Sequence, residues 1–254
     1  MSGHSKWANI KHQKGMADAK RGQVFTKVAR EIIVAVREGG SNPEANFRLR
    51  LAIQKARDCN MPLENIDRAI KRGSGQTEGA SLVEMTLEGY GPSGTAILVS
   101  ALSDNRNRTL QEVRNIFSRH GGNLSESGSV AWLFDPRGVI TVHTKEQDAE
   151  ALALEAIDAG ADDVKIETGF MEIYTKPAEL EKVRVAVKEK NIPITSAELS
   201  MVPKTMVQLE EKAALQILRL LDKLEELDEV QSVSSNADFA DSILEKYQSL
   251  SPTR

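Results

Sequence analysis

The sequence predicts an α+β fold: an N-terminal three-helix domain followed by two ferredoxin-like α/β sandwich domains, the third inserted in the second. Three observations predict it. Apolar residues recur at three- and four-residue spacing up to Gly73 and at two-residue spacing beyond Ala80. Elements between residues 136 and 204 follow the order βαββαβ. A β-β-α-β series before that run lacks one helix and one strand, and both follow it. The division is therefore 1–78 (basic arm and helical bundle), 79–135 plus 205–240 (discontinuous α+β domain), 136–204 (inserted ferredoxin-like domain) and 241–254 (tail).

Residues 17–38 place Val24, Phe25, Val28, Ile32 and Val36 on one helical face, and Gly39-Gly40 ends it. Asn42-Pro43 reads as an N-cap and first-turn pair for a second helix with Leu49, Ala52, Ile53 and Ala56 on one side. Pro62 opens a third, with Leu63, Ile66 and Ile70 on its apolar face and Gly73 as its stop. Short connections make these three a bundle, and GSGQTEGA at 73–80 reads as a linker. Residues 82–89 and 95–102 are strands across the turn YGPSG. Thr109 and Glu112 form a capping box for a helix whose apolar face is Leu110, Val113, Ile116 and Phe117. Ser129–Phe134 reads as a strand.

The inserted run has strands at 138–144, 163–168, 170–175 and 195–201 and helices at 148–159 and 177–190. A helix over Gln208–Glu226, striped by Ala214, Ile217, Leu218, Leu221 and Leu224, and a strand at Val230–Ser234 return to the interrupted domain. Residues 241–254 read as a frayed helix and coil.

Charge is divided by position. The chain carries a net −4, yet residues 1–78 hold 15 basic and 8 acidic side chains, net +7, which leaves −11 for residues 79–254. In the first thirty residues Lys6, Lys11, Lys14, Lys20, Arg21, Lys27 and Arg30 stand against Asp18 alone. Residues 6–16 have no apolar period and cannot bury a core by themselves. Such an arm suits a polyanion, because each cation that meets a phosphate releases condensed counterions. Point cations read phosphate and carry no base code. Trp7, the one aromatic in this stretch, can stack on a base or pack on the bundle. The alternative is a merely solvated charge run; the bundle's own Arg48, Arg50, Lys55, Arg57, Arg68, Lys71 and Arg72 weigh toward binding.

Other chemistry finds little support. Gly89 to Gly94 spells G-x-G-x-x-G, but Pro92 interrupts it and a strand follows, so a hairpin turn is expected and no dinucleotide cofactor. His4, His12, His120 and His143 have no metal-ligand spacing, and the single Cys59 excludes an internal disulfide. No catalytic constellation is visible; the expectation is a non-enzyme without cofactor or metal. No apolar run approaches the ~18–20 residues of a membrane span, and no secretion signal is visible. The expectation is a cytoplasmic protein for which a monomer suffices. Ser103 to Thr109, SDNRNRT, leads into a helix N-terminus. There Asn105, Arg106 and Arg108 could bind phosphate or a partner's carboxylate, or form a turn and cap with Asp104 paired to Arg106.

The opening MSGHSKWANIKHQKGMADAKRGQVFTK, NMPLENIDRAIKRG in the third helix, and EGYGPSG, DNRNRT and HGGNLSESGSVAWLF further on resemble the YebC family over essentially the full length. That family includes the mitochondrial translational activator of cytochrome c oxidase subunit I. The resemblance implies three domains and a non-enzymatic role in gene expression. Bacterial members are labelled probable transcriptional regulators that bind DNA; other members act in translation, on the ribosome. Nucleic-acid binding through Lys6, Trp7, Lys11, Lys14, Lys20, Arg21, Lys27 and Arg30 is expected. The target is DNA in the first reading and ribosomal RNA in the alternative. The resemblance tilts toward DNA and the arm's composition toward structured RNA.

Overall fold

The computed structural model describes residues 18–77, 81–144 and 149–250. Helices α1 (Asp18–Gly39), α2 (Phe47–Asp58) and α3 (Leu63–Gly73) form the N-terminal bundle. Val28, Ile32, Ile33 and Val36 of α1 bury against Leu49, Ala52 and Ala56 of α2 and Ile66 and Ala69 of α3. Gly73 does more than stop a helix. A Cβ there would lie 2.7 Å from Val36 Cβ and 2.8 Å from the Ile33 carbonyl, so the absent side chain lets α3 close on α1. Leu63, expected on the apolar face, is instead 69% exposed in the first turn of α3.

The start of α2 also differs from expectation. Asn42 and Pro43 form a turn, and Asn46 is the cap. The buried Asn46 side chain accepts from Leu49 N at 3.0 Å and donates to the carbonyls of Ala35 at 2.7 Å and Gly40 at 2.8 Å. The position that reaches three main-chain groups of two helices wins over the one that reaches a local turn. Asn46→Ala is expected to lower stability by about 2 kcal/mol, since a cap and two buried bonds are lost together. Urea unfolding followed by circular dichroism checks this, and an unshifted midpoint would deny Asn46 that role.

Residues Phe134–Lys204 form one compact unit and the other described residues another. In the larger unit, β1 (Val83–Tyr90), β2 (Ala96–Ser103), β3 (Asn123–Ser125) and β9 (Val230–Ser235) make an antiparallel sheet in the order β3-β1-β2-β9. Helices α4 (Arg106–Arg119) and α7 (Glu211–Glu225) bury Val113, Phe117, Ile217, Leu218, Leu221 and Leu224 in a core with Met85, Leu87, Ile97 and Val99. This is the α+β sandwich the sequence predicts.

The smaller unit runs β4 (Phe134–His143), α5 (Ala149–Asp158), β5 (Asp163–Glu167), β6 (Phe170–Thr175), α6 (Leu180–Glu189) and β7 (Ile194–Pro203). Its antiparallel sheet has the order β5-β6-β4-β7, which is the ferredoxin-like arrangement.

Three further local expectations are corrected. Residues 131–133 form a 3-10 turn, and the third strand of the larger sheet is the short β3. Gln208 precedes its helix and belongs to a two-residue parallel pair, β8 (Val207–Gln208) with β10 (Ala237–Asp238). The tail is not frayed over Asp241–Leu250. It is helix α8, with Ile243, Leu244 and Tyr247 buried in the core and the Tyr247 hydroxyl donating to Asp222 at 2.7 Å.

Candidate nucleic-acid interface

Lys6, Trp7, Lys11 and Lys14 lie outside the described residues, as do His4, His12 and the side chain of Lys20. Arg21 is exposed on α1. Lys27 and Arg30 both turn toward the chain's own sheet domain. Lys27 Nζ donates to the Glu225 carbonyl at 2.6 Å, and Gln23 Nε2 donates to the Glu226 carbonyl at 3.2 Å. These carbonyls sit at the end of α7, where the last turn leaves acceptors without helical donors and a partial negative charge. Arg30 Nη1 donates to the Leu102 carbonyl at 3.2 Å, and its Nη2 lies 3.5 Å from the buried carboxylate of Glu229. The two cations thus fasten α1 to the sheet domain.

The loop before α4 is largely self-satisfied. Asn105 caps the helix, its Oδ1 accepting from Arg108 N at 3.1 Å. Thr109, expected in a capping box, is buried inside the helix and shares a 2.8 Å hydroxyl bond with Ser103. Asp104 pairs with Arg108 at 2.8 Å and not with Arg106, because one helical turn of spacing brings 104 and 108 together. Arg108 also reaches Glu229 at 3.2 Å, so Glu229 joins the bundle and this loop through two guanidiniums. Arg106 is exposed.

The glycine-rich motif is a hairpin, as expected: β1 and β2 pair from Val83↔Ser103 to Tyr90↔Ala96 across Gly91–Thr95. Gly89 and Gly91 serve close packing, whereas Gly94 takes a positive φ in the turn. A Cβ on Gly91 would lie 2.5 Å from Ile217 Cδ1.

Sequence reasoning missed Glu88. Its buried carboxylate accepts from the main-chain N–H of Gly128 at 2.7 Å, Val130 at 2.7 Å and Ala131 at 2.8 Å. Burial pushes its pKa up, but those three donors and the Ser127 hydroxyl together outweigh it and hold the carboxyl below the ordinary value. The loop so fixed carries Trp132, 64% exposed, with its indole N–H on the Ser129 carbonyl at 3.1 Å. The available signal was an acid set directly between Leu87 and Gly89 in the buried half of β1, where Glu84 lies in the exposed half.

Among the described residues no cluster of His, Cys, Asp or Glu is placed to hold a metal ion, and no helix is long and apolar enough to cross a membrane. Cys59 is half-buried, and burial pushes its thiol up, so it is held as a neutral packing group.

Residues 5–76 match the TACO1/YebC protein N-terminal domain, and residues 82–237 match the TACO1/YebC second and third domain. A probable transcriptional regulatory protein of Dehalococcoides mccartyi strain BAV1 is 59% identical over 249 residues, covering 98% of this chain and 99% of its own. One from Moorella thermoacetica is 53% identical, covering 97% and 99%. The crystal structure of a conserved hypothetical protein from Aquifex aeolicus superposes with a TM-score of 0.83 at 48% identity, over 88% of this chain and 93% of that one. Sequence match across all three domains and shared architecture agree, and the chain belongs to the TACO1/YebC family.

Proposed function

We propose that this protein is a non-enzymatic regulator of gene expression that works in the cytoplasm by binding nucleic acid, with duplex DNA as its target. The observation that carries the reading is the strongly cationic start of the chain, seven cations against one acid in thirty residues. The names of the relatives, probable transcriptional regulatory proteins, support it. Lys6, Lys11, Lys14, Lys20 and Arg21 neutralise phosphates, and Trp7 adds stacking. Lys27 and Arg30 hold the module on the sheet domain through the bonds described above. Arg57, Arg68 and Lys71, exposed on α2 and α3, extend the positive surface.

The arm's roughly five phosphate contacts should contribute a slope of about −4 to −5 to the fall of log K for duplex DNA against log salt. The triple variant K6Q/K11Q/K14Q should flatten that slope by about 2.7, at roughly 0.9 per lost phosphate contact. Fluorescence anisotropy across a salt series measures both. A wild-type slope near zero would overturn the reading. Tighter binding to structured ribosomal RNA than to promoter duplex at physiological salt would move the target to RNA and leave the arm in place.

A further inference from the structure

A cationic depression lies on the sheet domain, away from every residue assigned above. It is an open hollow of about 170 Å³ lined by Arg119, His120, Gly121, Gln216 and Arg219. Two remote parts of the chain build it. Arg119 sits in the last turn of α4, and Gln216 and Arg219 stand three residues apart on the outer side of α7. The inner sides of both helices are buried in one core, which fixes their spacing and aims these polar faces outward. His120 caps α4, its Nδ1 2.9 Å from the Ile116 carbonyl, which settles the ring at the rim.

Neither guanidinium has an ion-pair or hydrogen-bond partner among the described residues, although both are exposed. Acids are plentiful around them in sequence, since residues 79–254 carry a net −11. On such a body two uncompensated arginines in one hollow are a local field of the opposite sign. A helix-end role accounts for Arg119, because a cation near a C-terminus complements the helix dipole. It does not account for Arg219, which lies in the middle of α7. Two planar forks and a carboxamide donor lining a space this small match a tetrahedral phosphate group with its two unesterified oxygens. Lys212, one turn before Gln216 on the same exposed face, extends the line of positive groups along α7.

We propose that Arg119, Gln216 and Arg219 form a second phosphate-binding site, which holds the phosphodiester backbone of the nucleic acid that the N-terminal module engages. The proposal rests on the reading that the chain binds nucleic acid. The two contacts then belong to one binding event, with the arm as the first anchor and the α4–α7 hollow as the second. A polymer contacted at two places is oriented as well as attracted, which a single run of point cations does not achieve.

Three full-length proteins test it: wild type, K6Q/K11Q/K14Q and R119Q/R219Q. Each is titrated onto a labelled DNA duplex from about 50 to about 200 mM salt. R119Q/R219Q should bind roughly tenfold more weakly and show a salt slope smaller by about 1.8, with circular dichroism unchanged because both side chains are exposed. R119K/R219K should restore most of the slope and only part of the affinity, since ammonium keeps the charge without the fork. If R119Q/R219Q matched the wild type while K6Q/K11Q/K14Q bound weakly, the hollow would be no phosphate site and the reading of the arm would stand. If K6Q/K11Q/K14Q matched the wild type and R119Q/R219Q bound weakly, the site would stand and the arm assignment would fall. A wild type that bound no duplex at any salt would overturn both.

Discussion

Replacing Glu88 by alanine is expected to cost about 3–5 kcal/mol of stability, because one side chain satisfies three main-chain donors in a buried place. Without the carboxylate, the N–H groups of Gly128, Val130 and Ala131 lose their acceptor together. Glu88→Gln keeps the shape but turns one acceptor into a donor that faces other donors, so it should fall between wild type and alanine. The loop ends at Trp132, which gives the experiment a local reporter. In a W7F background, Trp132 emission should change before the rest of the chain unfolds. The sign of the pH dependence follows from the lowered pKa. Folding holds Glu88 below the ordinary value of 4.5, so its contribution is fully present above that value and is lost as pH falls through the folded pKa. Denaturant midpoints that coincide for wild type and E88A at neutral pH would remove Glu88 from this role.

Gly89→Ala is expected to cost about 3 kcal/mol, at the upper end of overpacking effects. The new Cβ would lie 2.6 Å from Phe117 Cε1 and 2.7 Å from the Asn123 carbonyl. Neither obstacle can yield cheaply. Phe117 is fully buried, and Asn123 is paired with Tyr90 in the ladder between β1 and β3. Gly94→Ala is the matched control. It faces open space at a φ of +72°, so its cost is backbone strain alone, about 1 kcal/mol. Thermal unfolding should therefore place G89A below G94A. The reverse order would show that Phe117 or β3 relaxes at little cost.

The long periodic elements were legible in the sequence, and physics explains the remainder. Val28, Ile32 and Val36, or Ile217, Leu221 and Leu224, declare a buried face through spacing alone. Caps do not. Asn42 and Asn46 are equal by residue type, and only the approach of the Ala35 carbonyl selects Asn46. Strands of two or three residues, such as β3, β8 and β10, have too little pattern to register. The amphipathic pattern of α8 is short, and its docking on the core decides that it stays helical. For the site, the charge of the arm was visible but the destinations of its cations were not. Lys27 and Arg30 look like Lys20 and Arg21 until α7 and Glu229 are brought beside them. Arg119 and Arg219 stand far apart along the chain, and only the packing of two helices makes them neighbours.

The ladder from Phe134↔Pro203 to Val142↔Ile194 has a consequence for how the interrupted domain assembles. Closing a slack loop of roughly seventy residues would tax the host by about 4 kcal/mol of chain entropy. Here the guest clasps its own base, since its first and last strands are zipped side by side at the point of departure. Once that clasp has formed, the host polymer experiences a short tether instead of a long wandering excursion. β3 and α7 can then find one another almost as consecutive neighbours, so a guest that folds first aids its host kinetically.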